Sequence, residues 1–245
     1  MTISADTDWS ALTGTAQEMQ YTNLTIAETF TLTLNGGHKP HILRVQDTFS
    51  CPGKIQGTGH GFDGGVAAVE SDKRGNTGYG YQPGRAGALL GNGGHATATP
   101  PCNFLDWLLS GELVEVGGSG GGSGGGGNGG AGTDYGGKGG DGGVALYVVC
   151  RRFVPGATAV ITANGEAGAT VTTTGGDGTG GLICVAADHI ELPASGSIIS
   201  AVGTANSADG RIYLCYLYGI SGDSAARCDP AGVVVNLATL PIGLG

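Results

Sequence analysis

Between Gly117 and Gly143 eighteen of 27 residues are glycine, interrupted by Ser119, Ser123, Asn128, Ala131, Thr133, Asp134, Tyr135, Lys138 and Asp141. Glycine loses more conformational freedom on ordering than any other residue. Such a segment therefore either remains a flexible linker or is held by neighbours packed directly against its backbone. In the second case the chain runs as extended, polyproline-II-like strands with three residues per turn and about 3.1 Å per residue. Backbones can then approach closely enough to hydrogen-bond where any Cβ would intrude. The sequence leaves both alternatives open. Glycine supplies 52 of the 245 residues, roughly three times ordinary usage. It lacks a strict every-third-residue recurrence and is accompanied by only nine prolines, which excludes collagen.

The balance of 11 basic against 20 acidic residues gives a net charge of −9. That removes the basic footprint that nucleic-acid or anionic-membrane binding requires. Hydrophobic residues make up 40 %, enough core material for a folded chain. No apolar run approaches the ~18 residues of a membrane-spanning helix, so no membrane insertion is expected. The opening Met1–Trp9 has neither the basic nor the apolar stretch of a secretory leader.

Strand patterns recur along the chain. In Asn23–Leu34, Leu24, Ile26, Phe30, Leu32 and Leu34 share one parity, which predicts a half-buried strand kinked near Ala27-Glu28. His41–Phe49 has the same character. Three stretches then start at a proline after an apolar run and give a short strand ending in glycine: Pro52–Gly59, Pro155–Gly165 and Pro193–Gly203. Aligning Ile161 with Ile199 superposes Pro155 on Pro193 and Gly165 on Gly203, an offset of 38 residues that also lays Val144–Cys150 over Leu182–Asp188. Arg211–Tyr218 reads as a shortened copy, and Pro100–Val116 as a degenerate one. Proline opens a strand but cannot donate within a ladder, hence its recurrence at one turn. Extra residues fall after the terminal glycine of each unit.

This pattern predicts an all-β chain: a short, irregular β-solenoid or β-helix whose glycine-rich loops, polyglycine-II-like in the ordered alternative, project from one face. The expected organisation is an N-terminal attachment arm over 1–20, a solenoid domain over 21–220 and an apolar C-terminal tail over 221–245 that docks on a neighbouring subunit. Residues punctuating the glycine tracts would be displayed to solvent. Tyr79, Tyr81, Gln82, Arg85, Tyr135, Lys138 and Asp141 are accordingly the candidate receptor contacts, because tyrosine on glycine loops supplies rigid amphipathic area. Cys150, Cys184 and Cys215 lie in apolar runs and read as buried. Cys51, Cys102 and Cys228 adjoin prolines in turn contexts and are the disulfide candidates. No pair of cysteines has zinc-site spacing, so no metal is expected.

Ile-Thr-Ala-Asn-Gly165, Gly117–Gly143 and Gly-Gly-Asp-Gly-Thr-Gly-Gly181 resemble the glycine-rich appendage proteins of tailed bacteriophages, tail-fibre tip adhesins and head or neck spikes among them. The resemblance implies a virion structural protein, a surface spike or fibre component of head, neck or tail. It would be homotrimeric, assembled in the host cytoplasm and attached to other virion proteins through its N-terminal arm. The alternative is a host-receptor-binding adhesin, with a polysaccharide depolymerase behind it. The five histidines, His38, His41, His60, His95 and His189, read as solvated loop residues. Asp47, Asp63, Glu70 and Asp72 are the carboxylates that could pair for glycoside cleavage. No catalytic residue is assigned, no enzyme activity is expected and no cofactor is implied. Gly-Lys-Ser/Thr is absent, which excludes a phosphate loop.

Overall fold

The computed structural model describes residues 1–13, 18–35, 40–66, 78, 84–85, 93–97, 136–171, 173–196 and 198–239. Its strands are β1 (Thr2–Ile3), β2 (Thr7–Asp8), β3 (Glu18–Tyr21), β4 (Leu24–Ile26), β5 (Thr31–Thr33), β6 (His41–Cys51), β7 (Lys54–Gln56), β8 (Ala145–Pro155), β9 (Val160–Thr162), β10 (Leu182–Glu191), β11 (Ile198–Ser200), β12 (Arg211–Ser221), β13 (Cys228–Asp229) and β14 (Val233–Asn236). Among the described residues the helices are α1 (Trp9–Thr13), α2 (Ser224–Arg227) and a 3-10 turn at Leu237–Thr239. An eight-stranded sheet runs β1-β4-β6-β8-β10-β12-β14, with β3 also paired to β6. A six-stranded sheet runs β13-β11-β9-β7-β5-β2. Every strand pairing in both sheets is parallel.

Parallel register stacks like upon like. Leu32, Ile55, Ile161, Ile199 and Cys228 are successive partners across the short sheet. Leu24, Phe49, Phe153, Ile190 and Ile220 do the same across the long one. Phe49 and Phe153 are fully buried with ring centroids 5.7 Å apart. These columns face one another in the main core, which also takes in Trp9 and Leu214. The first halves of the long strands are buried on their other face too, where Ile42, Tyr147, Cys184 and Cys215 form a second cluster. Burial on both faces is what all-parallel sheets require, and it explains the nearly unbroken apolar run of Ala145–Cys150.

Each long strand bends at one level. In β8 the exposed pair Arg151-Arg152 separates inward-facing Cys150 from inward-facing Phe153. β6 and β12 accommodate the bend with register shifts, between Val45 and Thr48 and opposite the Ala187–His189 step of β10. β3 and β4 are the two halves of such a strand, one paired to each half of β6 and interrupted at the bend. At the break the Asp47 amide donates to the Thr22 carbonyl (2.9 Å) and the Thr48 amide to Asn23 Oδ1 (3.1 Å).

The described glycine segments form a third layer. The amides of Gly137, Gly140 and Gly143 donate to the carbonyls of Thr173, Gly176 and Thr179 at 2.9, 2.8 and 3.0 Å. Those of Gly139 and Gly142 donate to Gly65 and Phe62, both at 2.9 Å. The carbonyls of Lys138 and Asp141 accept from Ala169 and Glu166, both at 2.8 Å. Successive residues of 136–143 thus address three different neighbours, and the pattern repeats every third residue, the signature of a backbone with three residues per turn. A Cβ on Gly137, Gly140 or Gly143 would lie within 3.0 Å of the backbone of Ala169, Glu166 or Ala163.

Several expectations are corrected. The short β-solenoid with glycine-rich loops projecting from one face is not the architecture found: the chain forms two parallel sheets with few helices, an α/β-like arrangement of parallel strands. The described glycine segments do not project from it, because their missing Cβ atoms let backbone pack on backbone. Asn23–Leu34 is two strands in different sheets, its kink being the passage between them. Arg211–Tyr218 extends to a full eleven-residue strand. The 38-residue offset holds in the short sheet, where Ile161 pairs with Ile199, but is 37 in the long one, where Leu146 pairs with Ile183. The turn between β10 and β11 carries the extra residue. Residues 1–13 place one strand in each sheet and bury Trp9. Within the C-terminal tail, β14 pairs with the first half of β12. The degenerate copy at Pro100–Val116 lies outside the described residues.

Candidate functional site

The bend gathers the polar side chains of the long sheet into one row. Asp47 of β6, Arg151 of β8, Asp188 of β10 and Tyr218 of β12 line a cleft of about 390 Å³ together with Arg152, His189 and Glu191. Doubled outward residues and bulges place them there, since a bulge re-aims side chains that the regular pleat would send inward. Arg152 Nε and Nη2 both donate to Glu191 Oε1, at 2.9 and 2.6 Å. Arg151 Nε stands 3.6 Å from Asp188 Oδ2, an ion pair without a hydrogen bond. The His189 and Tyr218 rings lie 5.6 Å apart, tilted by 38°. The carboxylate of Asp47, the ring nitrogens of His189 and the Tyr218 hydroxyl make no hydrogen bond among the described residues.

A second cleft of about 540 Å³ adjoins the first through Arg151, opening where β3 ends. Gln20, Tyr21 and Thr22 form one wall, Arg44 and Gln46 another, and Val149 and Cys150 the floor. Arg44 Nε donates to Glu18 Oε1 at 2.8 Å. Burial raises the Tyr21 hydroxyl above its usual range and pushes the Cys150 thiol up to about 12. Cys150 is thus a neutral apolar part of the floor, not a nucleophile.

No family model, no curated protein and no solved structure matches the chain. Its functional reading therefore rests on geometry and on the residues themselves.

The sequence-derived site residues fall elsewhere. Tyr79, Tyr81, Gln82 and Tyr135 lie outside the described residues. Arg85 is exposed, and its carbonyl accepts from the Gly94 amide at 2.9 Å. Lys138 and Asp141 are close to each other, Nζ donating to Oδ2 at 2.7 Å, but Asp141 Oδ1 is engaged by the Gly64 amide at 2.6 Å. That carboxylate fastens two glycine segments together. Cys51 and Cys228 are free thiols. Both are buried rather than exposed in turns, because the strand carrying each directs its side chain inward, and burial raises their pKa values to about 12 and about 11. Cys102 lies outside the described residues.

Two polar residues that the sequence reading did not assign hold the glycine layer. Asp177 is buried; burial pushes its pKa up, but the Gly168 amide, Thr204, Asn206 and the neighbouring His95 together hold it below the usual carboxylate range. Asn164 Oδ1 accepts from Ser200 Oγ at 2.8 Å and from the Val202 amide at 2.9 Å. His41, read as a solvated loop residue, is fully buried with its ring edge-on to Trp9 at 4.9 Å. It opens β6, whose first residues are covered on both faces, and burial lowers its pKa. Among the carboxylates weighed for glycoside cleavage, Asp47 stands in the bend cleft and Asp63 is exposed. Glu70 and Asp72 lie outside the described residues.

Proposed function

We propose that this chain is a structural component of a bacteriophage virion, a surface spike or fibre subunit that acts as a rigid scaffold. The observation that carries the reading is the glycine layer, hydrogen-bonded on three sides and fastened to the turns of both sheets. A layer of that kind stiffens an appendage at small cost in side-chain mass. The resemblance of its glycine segments to phage appendage proteins supplies the biological setting. The assembly is a homotrimer, and other virion proteins hold it.

The test is mass spectrometry of purified particles of the phage that encodes the chain, with immuno-electron microscopy to place it. Presence at a fixed copy number divisible by three supports the reading. Absence from particles while the protein accumulates in infected cells overturns it. Light scattering on the purified protein checks the trimer separately, and a monomer refutes it.

A further inference from the structure

The bend cleft has a charge pattern that selects its ligand. Across successive strands it presents a carboxylate (Asp47), a guanidinium (Arg151), a carboxylate (Asp188) and an aromatic hydroxyl (Tyr218). Strands in a sheet stand about 4.8 Å apart, so these four positions span roughly 14 Å. A polyanion laid along the row would meet Asp47 and Asp188, and a polycation would meet Arg151 and Arg152. Hydroxyl groups donate to carboxylates and accept from guanidiniums, so a chain of hydroxyls can satisfy both signs in alternation. Tyr218 is 70 % exposed at the end of the row, with His189 beside it. Such a ring offers an apolar face to the C–H face of a sugar while its hydroxyl remains available. The neighbouring cleft extends the surface with Gln20, Gln46 and Thr22, neutral side chains that both donate and accept, beside the Arg44 guanidinium.

We propose that this row is a binding groove for a neutral oligosaccharide, laid across β6, β8, β10 and β12 with one sugar face on Tyr218. The groove is independent of the virion reading: it requires only the bend, and membership of a particle neither supports nor refutes it. Arg152 and Glu191, tied to each other, position the wall, whereas Asp47, Arg151 and Tyr218 contact the ligand.

Saturation-transfer NMR with the intact protein tests it, using neutral gluco-, galacto- and manno-oligosaccharides beside sialylated and uronic-acid oligosaccharides. At least one neutral series should bind, with transfer from Tyr218 ring protons. Tyr218→Ala should weaken binding by about tenfold or more, and Asp47→Asn should weaken it several-fold. Both side chains lie in the open cleft, so the circular dichroism and melting of the variants should match the parent. Lys54→Ala, on the other sheet, should bind normally. Absence of binding by every neutral series overturns the proposal. So does binding confined to the anionic oligosaccharides, or affinity unchanged in both cleft variants.

Discussion

Replacing Gly140 by alanine would place a methyl group against the backbone of Glu166 and Ala167, with the Glu166 and Ala167 carbonyl carbons 2.7 and 2.9 Å away. Neither neighbour is a flexible side chain, so segment 163–169 must move as a unit. Three hydrogen bonds converge there: the Glu166 amide to Asp141 (2.8 Å), the Ala169 amide to Lys138 (2.8 Å) and the Gly178 amide to Glu166 (2.9 Å). At about 0.5–1.5 kcal/mol each their loss amounts to roughly 2–4 kcal/mol. Alanine also restricts the unfolded chain, which returns about 0.4–1 kcal/mol. The net expectation is destabilisation by about 1–3 kcal/mol, a fall in Tm of roughly 3–10 °C for a chain of this size. Lys138→Ala is the control: the backbone there already carries a Cβ, and only an ion pair with a half-exposed lysine is lost, at most about 1 kcal/mol. Thermal and urea unfolding followed by circular dichroism measures both. The sign is decisive, because glycine-to-alanine replacement in a flexible linker would be neutral or slightly stabilising. A Gly140→Ala protein as stable as the parent refutes the packed glycine layer.

Three further expectations rest on buried or half-buried polar groups. Asn164→Ala removes the acceptor shared by Ser200 and the Val202 amide, and should cost about 1–3 kcal/mol in urea unfolding; no change would mean that solvent replaces it freely. Burial lowers the pKa of His41 from the 6.5 of an unfolded chain, so below that pH the unfolded state binds a proton that the folded state resists. Stability should therefore be fully present above pH 6.5 and decline as pH falls beneath it, read as a falling urea midpoint; a flat profile down to about pH 5 refutes the assignment. With Cys51 and Cys150 raised to about 12 and Cys228 to about 11, a thiol reagent at mildly alkaline pH should label these three only after denaturation. Prompt native labelling of Cys51, located by peptide mapping, would show that the core opens.

Much of the stacking was legible in residue order. Ile161 and Ile199, the residues on which the two stretches align, are partners in the short sheet, and Pro155 and Pro193 each stand six residues before them. The long strands escaped by one residue, since turn length is invisible to a pattern of apolar positions. Gly-Gly-Lys-Gly-Gly-Asp-Gly-Gly carries a local period of three that marks the glycine layer, although glycine in the whole chain has none. The bend cleft was missed, yet it too left a trace: a polar pair interrupts each apolar run at matching places, Gln46-Asp47, Arg151-Arg152 and Asp188-His189. Each pair on its own reads as a strand end. Only when the three runs are laid side by side does the bend appear, and its depth depends on the β3–β4 interruption, which lies at the boundary between the expected arm and the expected strand Asn23–Leu34. The burial of His41 had no signal in the sequence, since it depends on cover over both faces of the sheet.

The neighbouring strands β6 and β8 are far apart along the chain. Val45 meets Cys150 across 105 residues, whereas Leu146 meets Ile183 across 37. Closing the longer span costs roughly 0.9 kcal/mol more chain entropy, and the reward comes only once many pairings form together. Within each half the spans are short: Thr25 meets Ser50 across 25 residues, and Ile183 meets Ile212 across 29. Each half can therefore zip by itself, and the β6–β8 seam closes last. Pulsed hydrogen exchange should find the pairings inside each half protected before those between β6 and β8. A nascent chain leaving the ribosome would accordingly carry two half-built sheets until that one seam joins them.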